Sequence, residues 1–323
     1  MLPPSPPDGE RPRQEPGSAA SWATPTTTLG AAQDAAGATA ADTSESRTAV
    51  RGDETLGPRF WLAVGFVVFM ILLAILAPWL PIRDPAARDF EAISQTPNLD
   101  YWLGTDGLGR DLLARVIWGA RISLAIGVFA VAIGMAVGGF LGLVAGYFRG
   151  ALEKIIMALS DAMLAFPPLV LLLAVAVIFR TTMFTLAVAL GVLSVPTFAR
   201  LSRANTLRFA EREFVLAGQA IGAKHGRLLF RHILPNVALP VAAYAFLIIA
   251  VVIVAEGSLS FLGLGVSSPS VSWGGMIGDG RADLRMSPHI SLIPSIAMFL
   301  AVFAFNVIGD RLRMRFDVRD KAL

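Results

Sequence analysis

Cysteine is absent from the 323 residues, and histidine and lysine nearly so: His225, His232 and His289, with Lys154, Lys224 and Lys321, are the whole of each set. Without cysteine there is no disulfide, thiol nucleophile or thiolate-ligated metal. His225 and His232 have no carboxylates beside them at ligand spacing, so no metal site is expected. The lysines follow Glu153, Ala223 and Asp320, whereas a phosphate-binding loop needs lysine after its last glycine, so this chain is expected to hydrolyse no ATP. Charge is scarce as well, at 16% of residues against 55% hydrophobic, with a mean hydropathy of +0.64. Globular domains carry about 25% charged residues, so a soluble enzyme is excluded. A net charge of +3 with a pI near 9.7 suits basic residues gathered at a membrane face better than a nucleic-acid surface.

Residues 1–58 hold eight of the 20 prolines, much Ser, Thr, Ala and Gly, and a single aromatic, Trp22. Nothing there recurs at helical spacing, and the composition predicts a disordered tail. Met1 to Pro25 lacks the basic start and apolar run of a secretory signal. Apolar blocks then follow at Phe60–Leu80, Ile122–Ala145, Ile155–Phe179, Met183–Phe198, Val237–Ala255 and Ile290–Ile308. Each is near the roughly 20 residues that cross a bilayer core. Backbone groups in lipid must be bonded internally, and barrel strands would alternate, so six transmembrane helices are expected. Placing the N-terminus inside assigns 17 Lys and Arg to inner segments and 8 to outer ones, leaving out Arg11 and Arg13 in the tail. Both termini are therefore expected to be cytoplasmic. The expected organisation is a tail over 1–58, a first helix and outer loop over 59–120, a transmembrane domain over 121–310, and a C-terminal tail over 311–323.

Within that domain, the inner connection from Ala199 to Asn236 is too long for a plain loop. Phe214, Val215, Ala217, Ile221, Leu228, Leu229 and Ile233 recur at three- and four-residue steps, which predicts two short amphipathic helices. Gly222 suits the end of the first and Pro235 the start of the next membrane helix. Such a pair can lie on lipid or dock a soluble partner. Gly104 to Asp111 reads as a glycine-rich turn fixing the outer loop or touching a partner. Asp161 and Glu256 fall near helix ends, where a side chain can snorkel or bond across helices. Pro167 and Pro168 should kink the third span, and Gly134, Gly138 and Gly142 mark a close-packed face of the second.

Leu216-Ala217-Gly218, Gly222 and Leu234-Pro235 resemble the signature of ABC-importer membrane subunits, a Glu-Ala-Ala triplet, a glycine four residues on, and Leu-Pro whose proline lies thirteen beyond it. The chain departs from it with Leu216 for glutamate, Gly218 for the second alanine and His232 for isoleucine. Tyr101 to Asp111 running into Trp118 to Ser123 is similar to the DppC/OppC-type permeases of dipeptide, oligopeptide and nickel importers. Ser260 to Gly265 with Pro269 and Trp273-Gly274, and Asn306 to Asp310 with Asp317, fit the same group.

The resemblance implies an all-α membrane protein with six transmembrane helices in the type I ABC importer permease fold. It implies import of di- or oligopeptides by alternating access, or of nickel, glutathione or another small solute on the same scaffold. Its implied partners are a homologous DppB/OppB-like permease, two ABC ATPase subunits, an extracytoplasmic substrate-binding protein and the lipid bilayer, with no nucleic acid. ATP and Mg would sit on the ATPases, and no cofactor on this chain. Ala217, Gly218, Gly222, Leu234 and Pro235 would form the ATPase-coupling loop, within about 204–235. Gly104, Thr105, Asp106, Gly109, Arg110 and Asp111 would be the outer motif, and Asp161, Pro167 and Glu256 pathway or packing positions. A secondary transporter or channel would need an inverted repeat or several buried charges, which the sequence does not clearly carry.

Overall fold

The computed structural model describes residues 56–267 and 269–321, so the tail expected over 1–58 lies almost wholly outside the described residues. Helix α1 spans Gly57–Leu76, α2 Leu112–Phe148, α3 Gly150–Ala165, α4 Pro168–Ile178 and α5 Met183–Ala210. A short helix α6, Glu213–Ala220, precedes α7, Leu234–Phe261; then come α8, Trp273–Asp279, and α9, His289–Lys321. Among the described residues there is no strand, and five helices are long and apolar enough to cross a membrane, or up to six if the bent α3–α4 pair is one span.

Several boundaries differ from the sequence expectation, each for a local reason. Helix α2 begins at Leu112 rather than near Ile122, so residues 112–120 belong to the bundle and not to the outer loop. Asp111 caps it, accepting the Leu113 amide at 3.1 Å, and Arg115 in its first turns is charge-paired. The third span is not one kinked helix but two, bent by 82°. Proline forces the preceding residue out of the helical region, and Phe166 and Pro167, each before a proline, are both extended. Helix α5 runs on to Ala210, so the connection proper starts later than 204, and α9 continues to Lys321 past the expected break at 310. Pro235 does not open α7 from a loop. A helical turn at His225–Arg227 and a π-helical stretch, Leu228–Ile233, lead straight into it, with the Leu234 amide bonded to Leu229 O.

The centre of the bundle is α2 against α5, and glycine sets their separation. A Cβ on Gly138 would collide with the Val195 carbonyl, and one on Gly142 with that of Ala199. On Gly134 it would lie 2.7 Å from Ser194 Cβ, and on Gly146 2.8 Å from Thr206 Cβ. Without side chains on this stripe the two backbones touch, and dispersion replaces the hydrophobic drive that lipid does not supply. Gly139, on the other side, has nothing near it. Where α7 meets α8, a Cβ on Gly274 would collide with Gly257 Cα, so these backbones also abut.

Candidate functional site

At the end of the bundle where α1 finishes and α2 begins, residues 80–111 fold over the helix ends through side-chain caps of backbone groups. Asp106, almost fully buried, accepts the Leu108 and Arg110 amides on Oδ1 at 2.9 and 3.0 Å, which closes the turn at Gly109 (φ +72°). Its Oδ2 lies 2.7 Å from Arg110 Nε and 3.3 Å from Arg115 Nε. Both guanidinium groups also reach Asp279 of α8, at 3.5 and 3.4 Å. Two cations thus stand between two carboxylates, one buried and one exposed. Thr105 is fully buried, its hydroxyl donating to the Ala92 carbonyl and accepting the Gln95 amide at 2.9 Å. Gly104 (φ +77°) and Gly109 have no room for a Cβ, which would meet the carbonyls of Gln95 and Asp89.

In the same loop Tyr101 Oη donates to Asp89 Oδ2 at 2.7 Å, while the Arg83 guanidinium covers the tyrosine ring at 4.1 Å. That hydrogen bond is the largest influence on both groups. It holds the Asp89 carboxyl below its usual 3.8 and lifts the Tyr101 phenol above its usual 10.0, with burial adding to the second.

Beneath the loop, Glu256 on α7 is fully buried and does not snorkel. It accepts from Ser260 Oγ one turn on at 2.6 Å and from Ser123 Oγ of α2 at 3.2 Å. Ser272, which caps α8 by accepting the Gly275 amide, donates to Ser260 Oγ at 3.2 Å. Fully buried Trp273 gives its amide to Ser123 and its indole N–H to Val116 O at 3.0 Å. One carboxylate and four neighbours therefore join α2, α7 and α8. Ser123, Ser260 and Trp273 were visible only inside family-like runs, Arg115 and Asp279 only as charges of the outer segments, and Ser272 not at all. Arg115 carried one usable signal, a charge four residues past a capping aspartate inside an apolar helix.

The opposite end is arranged differently. Helix α6 turns Val215, fully buried, toward the bundle, and Gly218 approaches Leu228, whose Cδ2 would stand 2.7 Å from an added Cβ. Its other face leaves Phe214, Leu216, Ala217 and Ile221 in the open, with Ile221 86% exposed. Gly222 (φ +78°) stops the helix: its amide bonds Gln219 O at 2.9 Å and the Ala223 amide bonds Gly218 O at 3.0 Å. This pair of bonds is the Schellman arrangement, which only a residue free of Cβ strain completes cheaply. Gly222, Leu234 and Pro235 are all exposed. His225 is tied to the end of α2 by a 2.8 Å hydrogen bond between Nδ1 and Tyr147 Oη. Asp161 of α3 takes a 2.5 Å bond from Arg200 of α5, beside a second ion pair between Glu153 and Arg203. The predicted outer-motif and coupling-loop residues are thus at opposite ends, Glu256 near the first, and Pro167 at the bend of α3–α4. No group of three or more His, Asp or Glu poised for a metal occurs among the described residues.

A bundle of long apolar helices, joined at one end by buried polar ties and offering at the other a short helix with an open apolar face, is a multi-pass membrane transport subunit. Residues 138–319 match the family model described as the binding-protein-dependent transport system inner membrane component, and the chain belongs to that family. It is 39% identical over 265 residues to the glutathione transport system permease protein GsiD of Pectobacterium atrosepticum, covering 81% of this chain and 88% of that one. It is 41% identical over 257 residues to the GsiD protein of Escherichia coli O6:K15:H31, covering 79% and 85%. Its fold is that of a type I ABC importer permease: a chain of the MetNI methionine ABC transporter, in an inward-facing crystal form, superposes with a TM-score of 0.52 at 17% identity, over 63% of this chain and 97% of that one. The chain is accordingly a permease subunit of an ABC importer and not an ATP-hydrolysing enzyme.

Proposed function

We propose that this permease imports short peptides across the bacterial inner membrane, with glutathione, itself a tripeptide, the first solute to test. The observation that carries this reading is the 39–41% identity, across about four-fifths of the chain, to permeases named for glutathione transport. In this reading a homologous DppB/OppB-like permease pairs with the chain and the solute crosses between them. An extracytoplasmic binding protein delivers it, and two ABC ATPase subunits carry ATP and Mg while this chain binds no cofactor. Both termini are cytoplasmic, as the distribution of Lys and Arg supports. The open face of α6, with Ala217, Gly218, Gly222, Leu234 and Pro235 around it, docks on an ATPase. ATP closure of the ATPases then moves α6 as a rigid body, and the bundle alternates between inward and outward openings.

Uptake of labelled glutathione, di- to pentapeptides and nickel, in a deletion strain with and without the gene restored, tests the solute. Loss of glutathione or peptide uptake that returns with the gene is expected; loss of nickel alone would overturn the solute class. For the loop, Gly222→Trp should leave the protein inserted and ATP hydrolysis running while uptake fails. Normal uptake by that variant would remove the coupling assignment.

A further inference from the structure

At the end of the bundle where α7 finishes, the turn between α4 and α5 faces the segment after α7 across a crevice of about 740 Å³. That is the size range of small-molecule sites, roughly 300–1,000 Å³. The two walls touch where Ser267 Oγ donates to Thr181 O at 3.5 Å. Ile178 and Phe179 give it apolar surface, while Thr181, Thr182 and Ser270 give it hydroxyls. Among the described residues lining it, Arg180 is the one charged side chain, no carboxylate is present, and the guanidinium makes no ion pair. The start of α5 beside it adds positive potential of the same sign.

A second crevice of about 530 Å³ shows the contrast. It lies against the loop over α2, and there Arg83 and Arg88 face Asp84, Asp89 and Glu91. Mixed charge of that kind selects neither sign. The Arg180 crevice carries charge of one sign.

We propose that this crevice is an anion-receiving subsite for the solute, in which the Arg180 guanidinium takes one of its carboxylates. The inference rests on the peptide and glutathione reading above, since a free peptide presents its C-terminal carboxylate and glutathione more than one. Arginine suits the task because its planar fork meets both carboxylate oxygens at once. The apolar wall and hydroxyls then accept the rest of a short peptide with little demand on its side chains.

The absence of cysteine from this chain gives a test independent of the solute. In the assembled importer in membrane vesicles, Ser270→Cys is labelled with a negatively charged sulfonate methanethiosulfonate and with its positively charged trimethylammonium analogue, each rate divided by that for a free thiol. The anionic reagent should be favoured, and adding Arg180→Glu should lower the anion-to-cation ratio about tenfold or more. Arg180→Lys should keep most of the preference. A ratio near one, or a ratio indifferent to Arg180→Glu, overturns the subsite. Transport gives the second readout. Arg180→Ala should lower the maximal uptake rate of a free dipeptide about tenfold while the KM, set by capture on the delivering protein, stays unchanged, and leave its C-terminally amidated form unaffected. An equal loss for acid and amide would overturn carboxylate recognition. If wild type imports neither peptides nor glutathione, the solute reading fails, and the labelling ratio still decides the crevice.

Discussion

The two ends of the bundle solve opposite problems with the same residue types. Over the start of α2, Arg110 and Arg115 close on the buried Asp106, with the exposed Asp279 of α8 beside them, and Gly104 and Gly109 are locked against backbone carbonyls. Around α6, Arg149 and Glu211 pair in the open, 48% and 70% exposed, and a Cβ on Gly222 would meet nothing within 4 Å. Buried polar ties are high-stakes, because each unmade bond leaves a desolvated group. Exposed apolar side chains with loose ties are what a surface keeps when another protein is to cover it. One end is held by its own buried ties, and the other leaves an apolar face open.

The largest effect should come from putting the same methyl group at each end. Gly109 and Gly222 share a positive φ, so alanine at either costs about 1–2 kcal/mol in backbone strain. At Gly109 the methyl also collides with the Asp89 carbonyl, adding roughly 1–3 kcal/mol of overpacking. Gly109→Ala should therefore lower the thermal midpoint of the detergent-solubilised importer more than Gly222→Ala, which carries the backbone strain without the collision. Equal midpoints would erase the distinction between a locked and an open glycine.

How much of this was legible in sequence follows from the distance over which each signal acts. Gly222 ends a helix through bonds to residues at most five away and is read locally, whereas Asp111 caps one through the next turn, an equally local signal that a helix start near Ile122 passes over. The prolines at 167 and 168 announced a kink, but the 82° between α3 and α4 depends on what each half packs against. The glycine stripe on α2 said that a helix approaches, not that the helix is α5. Glu256 and Ser123 are 133 residues apart, and Arg115 and Asp279 are 164 apart. Nothing in one strand of sequence pairs such groups, since each alone reads as a polar residue near a helix end. The α6 face was visible as a pattern, yet lipid and protein would both cover it, and the choice came from the family-like spacing around it.

Removing one arginine at each end gives the next contrast. Arg115→Leu leaves Asp106 buried with Arg110 alone and should cost about 2–3 kcal/mol, below the roughly 3–5 kcal/mol for breaking an isolated buried pair. Arg149→Leu removes an exposed pair worth less than about 1 kcal/mol. Thermal midpoints in low and high salt separate the two, because only the exposed pair is strongly screened. A salt-sensitive loss at Arg115 would show that the cluster over α2 is open to solvent.

The smallest effect, and the most specific, belongs to the Tyr101–Asp89 bond. Asp89 is held below its usual 3.8, so what the bond contributes is complete above that value and is lost as pH falls through the lowered one. The Tyr101 phenol is held above its usual 10.0, so its contribution is complete below that value and is lost as pH rises through the raised one. The difference in thermal midpoint between wild type and Tyr101→Phe should then be flat from about pH 5 to 9 and shrink on either side. Phenylalanine keeps the ring under Arg83, so the loss reports the hydroxyl and not the cation–π contact. A difference that grew on acidification would mean that the protonated carboxyl is the better partner, and the Tyr101–Asp89 bond would no longer count among the charge-assisted ties that hold this end of the molecule.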